Sequence, residues 1–175
     1  FEGPEEELAE TFNSQPAIFA VGIAALRALE EKAESEEFNL APMMVAGHSL
    51  GQFTALVAAG VLEFGNALKL VRERGRLMKE AGEANPGGMA AVLGMEDDAV
   101  ASVVEQAAQG DVLTVANRNC PGQVVVSGEV AALDRFATMA QEAGARRVAR
   151  LPISIASHSS LMSGATVELN TIFDA

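Results

Sequence analysis

Cysteine is nearly absent from this sequence: Cys120 is the only one among 175 residues. A disulfide within the chain is therefore excluded, and so is a cysteine-rich metal site. That usage fits a reducing, cytoplasmic setting. Histidine is almost as scarce, with only His48 and His158, so no histidine-built metal site is expected. Tryptophan and tyrosine are missing altogether. The apolar content must come from Ala, Val, Leu and Met. Basic residues are also few: 12 Lys and Arg against 24 Asp and Glu leave a net charge of −12. A nucleic-acid backbone calls for a general basic field, so nucleic acid is not an expected partner. A small anionic substrate stays open, because it needs only a local cation. No secretory leader is read at the start. Phe38 to Leu62 lacks Asp, Glu, Lys and Arg, which could suggest a membrane span. Pro42, Gly47, His48, Ser49, Gly51, Gln52 and Thr54 interrupt it, so the stretch reads as a buried strand followed by a buried helix, and no membrane partner is expected.

What is present has clear punctuation. After an acidic, polar start, Gln15–Pro16 opens a helical run from Ala17 to Glu31. Ile18, Val21, Ile23, Ala24, Leu26 and Leu29 make a broad apolar face on it, so the helix is expected to be largely buried. Pro42 to Ala46 reads as a short parallel strand. Gln52 to Ala59 reads as a helix, with Gly60 at its C-terminal cap. Residues 63–81 form an amphipathic helix with a basic face: Lys69, Arg72, Arg74, Arg76 and Lys79. Asn85-Pro86-Gly87-Gly88 is a break. Beyond it the pattern predicts strand 89–94, helix 96–109, strand 112–117, strand 123–127, helix 130–143 and strand 147–153. That order, βαββαβ, is the ferredoxin-like unit. The fold expected is α/β: a body of residues 1–84 and 155–175, interrupted by a ferredoxin-like subdomain over 85–154.

Gly47-His48-Ser49-Leu50-Gly51 matches the G-x-S-x-G nucleophile elbow, in the strand-then-helix context that the motif requires. A serine on so sharp a turn needs small neighbours two residues to either side, and Gly47 and Gly51 meet that need. The helix that follows points its N-terminus at Ser49, and the Leu50 backbone N–H can face a developing oxyanion. The serine hydroxyl needs a base. His48 should leave the turn in another direction, which makes His158 the candidate. Arg74, taken on composition, is one solvated basic residue among several. Cys120 and the methionines read as structural.

Five segments then carry a family resemblance: GHSLGQ at 47–52, RGRLM at 74–78, GGMAAVLG at 87–94, NRNCPGQVVVSG at 117–128 and ISIASHSSLM at 153–162. In order and spacing they resemble malonyl-CoA:acyl-carrier-protein transacylases, and the acyltransferase domains of fatty-acid and polyketide synthases. The resemblance implies an α/β-hydrolase-like, parallel-sheet body around the ferredoxin-like insert. It implies a ping-pong reaction in which Ser49 takes malonyl from malonyl-CoA and passes it to the phosphopantetheine thiol of an acyl carrier protein. Arg74 would grip the malonyl carboxylate, and Asn117 and Asn119 match a turn near the site. No metal or redox cofactor is implied. The carrier protein is expected to dock on the densest basic cluster, Arg146, Arg147 and Arg150. The family's glycine–glutamine loop and its histidine-orienting segment find no counterpart here. The chain is thus expected to be truncated at both ends and, alone, weakly active. A serine esterase or thioesterase on the same elbow, or a polyketide-type acyltransferase using methylmalonyl-CoA, is the alternative.

Overall fold

The computed structural model describes residues 2–173. The chain forms two compact units. One comprises residues up to Leu77 together with those from Leu169 onward, and the other runs from Met78 to Glu168.

The first unit is helical among the described residues. A short helix, α1 (Glu5–Ala9), leads into α2 (Thr11–Ser35), followed by α3 (Gly51–Ala58) and α4 (Phe64–Ala84), which crosses into the second unit. Three sequence expectations need correction here. First, α2 starts at Thr11, so Pro16 lies inside the helix rather than at its opening. Second, α2 is not largely buried: Ile18 and Val21 are exposed, as is Leu29, and the buried stripe is Gln15, Phe19 and Ile23. That i, i+4, i+8 row is what a helix presents along one narrow face. Third, Pro42 to Ala46 is not a strand. A parallel strand exists only by pairing, and no described residue pairs with this segment; Met43 and Met44 are almost wholly exposed. The core of this unit joins Phe19 and Ile23 of α2 to Leu50, Phe53 and Val57 around α3 and to Ala67 and Val71 of α4. Phe19 stacks on Phe64 with ring centroids 5.6 Å apart.

The second unit holds a four-stranded antiparallel sheet. Its elements run β1 (Gly87–Leu93), α5 (Asp97–Ala108), β2 (Leu113–Cys120), β3 (Gln123–Glu129), α6 (Val130–Glu142) and β4 (Arg147–Arg150), and the strands lie in the order β2-β3-β1-β4. Ala90 and Val92 of β1 and Val124 and Val126 of β3 share one face by the two-residue period of a strand. They pack against Val100, Val104 and Ala107 of α5 and Leu133, Phe136 and Ala140 of α6. The opposite face of β3 is buried too, at Val125 and Ser127. Asp97 and Asp98 lie in the first turn of α5, where the helix dipole favours negative charge. The end of α4 belongs here because it accommodates Ile155: a Cβ on Gly82 would lie 2.3 Å from Ile155 Cγ2. Strand β4 is shorter than its apolar run suggests, and after it come a 3₁₀ turn at Ser160–Met162 and α7 (Ser163–Phe173), neither of which periodicity signalled.

Candidate active site

Ser49 stands at the start of α3 with φ 51°, a left-handed conformation rare for a residue with a Cβ. The turn is closed by Gly51 N–H donating to His48 O at 2.9 Å and Gln52 N–H to Ser49 O at 3.1 Å. The two elbow glycines are not equivalent. A Cβ on Gly47 would lie 2.0 Å from the Gly51 carbonyl carbon and oxygen and 2.3 Å from Gln52 N, whereas a Cβ on Gly51 would meet nothing within 4 Å. Gly47 is what lets the incoming chain cross against the first turn of α3, while the space for a side chain at Gly51 is open. Leu50 is buried and occupies the N-cap position, where backbone N–H groups have no intrahelical acceptor. His48 is exposed.

Arg74 reaches the elbow from α4. Its Nη2 donates to Ser49 Oγ at 2.9 Å, joining residues 25 apart in sequence. Its Nη1 donates to Oε1 of Gln15. Burial holds its pKa below the usual arginine range through loss of solvation. The neighbouring basic residues are engaged differently: Arg72 lies over the Phe12 ring at 4.1 Å, and Arg76 pairs with Glu73 at 2.8 Å. Arg74 is thus the member of the basic face that is bonded to the candidate nucleophile. Gln15 is a site residue that sequence reasoning passed over. Its one signal was a polar residue in register with Phe19 and Ile23 on the buried stripe of α2.

The other candidates belong to the second unit. His158 has φ 63° and is exposed. It is the third residue of a turn from Ala156 to Ser159, closed by Ser159 N–H on Ala156 O at 3.3 Å and Ser159 Oγ–H on the same carbonyl at 2.7 Å. Positive φ at the third position is the signature of a tight type II bend, so the backbone here, like that at Ser49, is held out of its common range. Asn117 and Asn119 are not in a turn as expected: both lie within β2, which is irregular there, its register shifting between Val115 and Asn117 and again between Arg118 and Cys120. Arg146 and Arg147 are exposed at the start of β4. Arg150 is held by Asp134 at 2.5 Å and Val130 O at 3.0 Å. Strands β2 and β4 are the two edges of the sheet, so the asparagines and the arginines lie on opposite sides of this unit.

A left-handed serine heading a helix is the second half of the nucleophile-elbow motif; the strand that the motif places before the serine is not formed among the described residues. The sequence profile of the acyl transferase domain family matches residues 1–172, and the chain belongs to that family. It is similar to the malonyl CoA-acyl carrier protein transacylase of Haemophilus influenzae, 44% identical over 168 residues that make up 96% of this chain and 53% of that protein. It is 42% identical to the protein of the same name from Bacillus subtilis over 176 residues, 100% of this chain and 54% of that protein. The chain spans about half the length of the curated relatives it matches. Among solved structures, an acyl carrier protein S-malonyltransferase from Vibrio cholerae superposes with a TM-score of 0.90 at 43% identity, covering 99% of this chain and 55% of that one. A malonyl-transacylase in complex with its type II polyketide-synthase acyl carrier protein superposes with a TM-score of 0.92 at 39% identity, covering 99% and 54%.

Proposed function

We propose that this chain carries the nucleophile and acyl-selecting half of a malonyl-CoA:acyl-carrier-protein transacylase acting in fatty-acid synthesis. The observation that carries the reading is the 2.9 Å bond from Arg74 Nη2 to Ser49 Oγ. Malonyl differs from acetyl by one carboxylate. Once malonyl is esterified to Ser49, that carboxylate lies a few bonds from Oγ, within reach of a guanidinium already resting on the same atom. An arginine fork matches both carboxylate oxygens and keeps its charge.

In this reading Ser49 attacks the thioester carbonyl of malonyl-CoA as His158 takes its proton. The tetrahedral oxyanion is met by the Leu50 N–H, and coenzyme A leaves as its thiol, reprotonated by His158. The carrier protein's phosphopantetheine thiol then attacks the seryl ester by the same steps in reverse, a ping-pong sequence. Arg146 and Arg147 offer a local basic surface for an acidic carrier protein; Arg150, tied to Asp134, contributes less. Asn117 and Asn119 would act through the irregular end of β2. We read the second unit's strand order as the ferredoxin-like split βαβ. It would be an insert over 85–154 in a hydrolase-like body of 1–84 and 155–175, within a cytoplasmic enzyme.

The test is intact mass after incubation of the full-length protein with malonyl-CoA. A malonyl adduct is expected on the wild type and absent from Ser49→Ala. Arg74→Ala should lose malonyl loading by roughly 10²–10³-fold, the scale of breaking a buried ion pair, while acetyl loading holds. An adduct that persists on Ser49→Ala removes the nucleophile assignment.

A further inference from the structure

We infer that Gln15, with Thr11 behind it, is a positioning residue that aims the Arg74 guanidinium at Ser49 and so sets the selectivity for a carboxylated acyl group. The inference rests on the malonyl reading above.

Gln15 is a buried polar side chain, 6% exposed, on an otherwise apolar stripe of α2. Burying an amide is tolerated only when its polar atoms are bonded. Here the bonds also fix its orientation. A guanidinium has donors and no acceptor, so the amide must present its oxygen to Arg74. Its Nε2 accordingly donates to Thr11 Oγ1 at 2.6 Å, one helical turn earlier. Residues four apart lie on one helix face, so Thr11 orients the amide, the amide orients Nη1, and the planar guanidinium carries Nη2 to Ser49 Oγ.

Two further contacts dock α4 on the start of α2. A Cβ on Gly75, next to Arg74, would lie 2.8 Å from Thr11 O and 2.9 Å from Phe12 Cα, so only glycine permits this approach. Arg72 covers the Phe12 ring at 4.1 Å. The first turns of α2 therefore grip α4 just where Arg74 emerges.

The choice of an amide has chemical sense. A carboxylate at position 15 would also hold the arginine, but it would neutralise the charge that a malonyl group needs. A neutral acceptor fixes direction and leaves the positive charge available.

The experiment compares malonyl-CoA and acetyl-CoA as acyl donors to the full-length protein, by rate of intact-mass labelling. Gln15→Met keeps the volume and removes the acceptor. It is expected to lower malonyl labelling about 10–100-fold, the range for one hydrogen bond to a charged group, and to leave acetyl labelling within about threefold. Thr11→Val, which leaves Gln15 in place, should shift the ratio the same way by less, and it carries the test if Gln15→Met fails to fold. On an Arg74→Ala background, Gln15→Met should add almost nothing, because the group it aims is gone. An unchanged malonyl-to-acetyl ratio in Gln15→Met or Thr11→Val, or full additivity with Arg74→Ala, overturns the positioning role alone. A wild type that takes no malonyl overturns the functional reading and this role with it.

Discussion

Exchanging each elbow glycine for alanine should have opposite consequences. At Gly47 the new methyl would sit 2.0 Å from the Gly51 carbonyl and 2.3 Å from Gln52 N. Carbon–carbon contacts begin at about 3.5 Å, so something must move by more than 1 Å, and the obstacle is backbone. The two bonds that close the turn, Gly51 N–H to His48 O and Gln52 N–H to Ser49 O, span the residues that have to part. Losing both costs about 1 kcal/mol each, and overpacking adds ~1–3 kcal/mol. The expected destabilisation is about 3–5 kcal/mol. A shift of that size also displaces Ser49 Oγ, and a misplacement of about 1 Å can slow the chemistry ~10²-fold. At Gly51 the methyl meets nothing within 4 Å, and the residue is the first of α3 with no positive φ, so alanine should be neutral or stabilise by roughly 0.4–1 kcal/mol. Denaturant unfolding of the full-length protein gives the stabilities, and malonyl labelling reads the proposed chemistry. Equal stability of the two variants, or normal labelling of Gly47→Ala, would refute the steric account of the elbow.

Two further outcomes are expected. Ser127 Oγ is fully buried in β3 and has no hydrogen-bond partner among the described residues; Ser127→Ala should therefore raise stability by about 1 kcal/mol or more, read as a higher midpoint of thermal unfolding with unchanged labelling. Arg146, just before the edge strand β4, and Arg147, its first residue, are both exposed; under the proposed function, changing both to Glu should raise KM for the carrier protein and leave loading from malonyl-CoA as it was, and an unchanged KM would remove this docking surface.

Local backbone geometry was readable in the sequence wherever a residue's own conformation or its near neighbours decide the outcome. The elbow follows from Gly47, Ser49 and the helix behind them, because a left-handed turn depends on bulk within a few residues. The order of strands and helices from Gly87 to Arg150 follows from alternation, helical spacing and turn residues. Residues 42–46 were misread for the opposite reason: an apolar, extended run becomes a strand only when another strand supplies its ladder bonds, and composition says nothing about that partner. The buried face of α2 was misjudged similarly, since Ile18 and Val21 are as apolar as Ile23 and only the packing of α3 and α4 selects which stripe is covered. The site shows the limit most clearly. Arg72, Arg74 and Arg76 are equivalent by composition, and in the sequence only the family resemblance carried by RGRLM sets Arg74 apart. Folding sets one over Phe12, pairs another with Glu73, and places Arg74 between Ser49 and a glutamine 59 residues away. Helical spacing after Gly60 is enough to place a basic helix behind Ser49; the contact of one of its arginines with the serine hydroxyl depends on where α4 crosses α2, which no local pattern encodes.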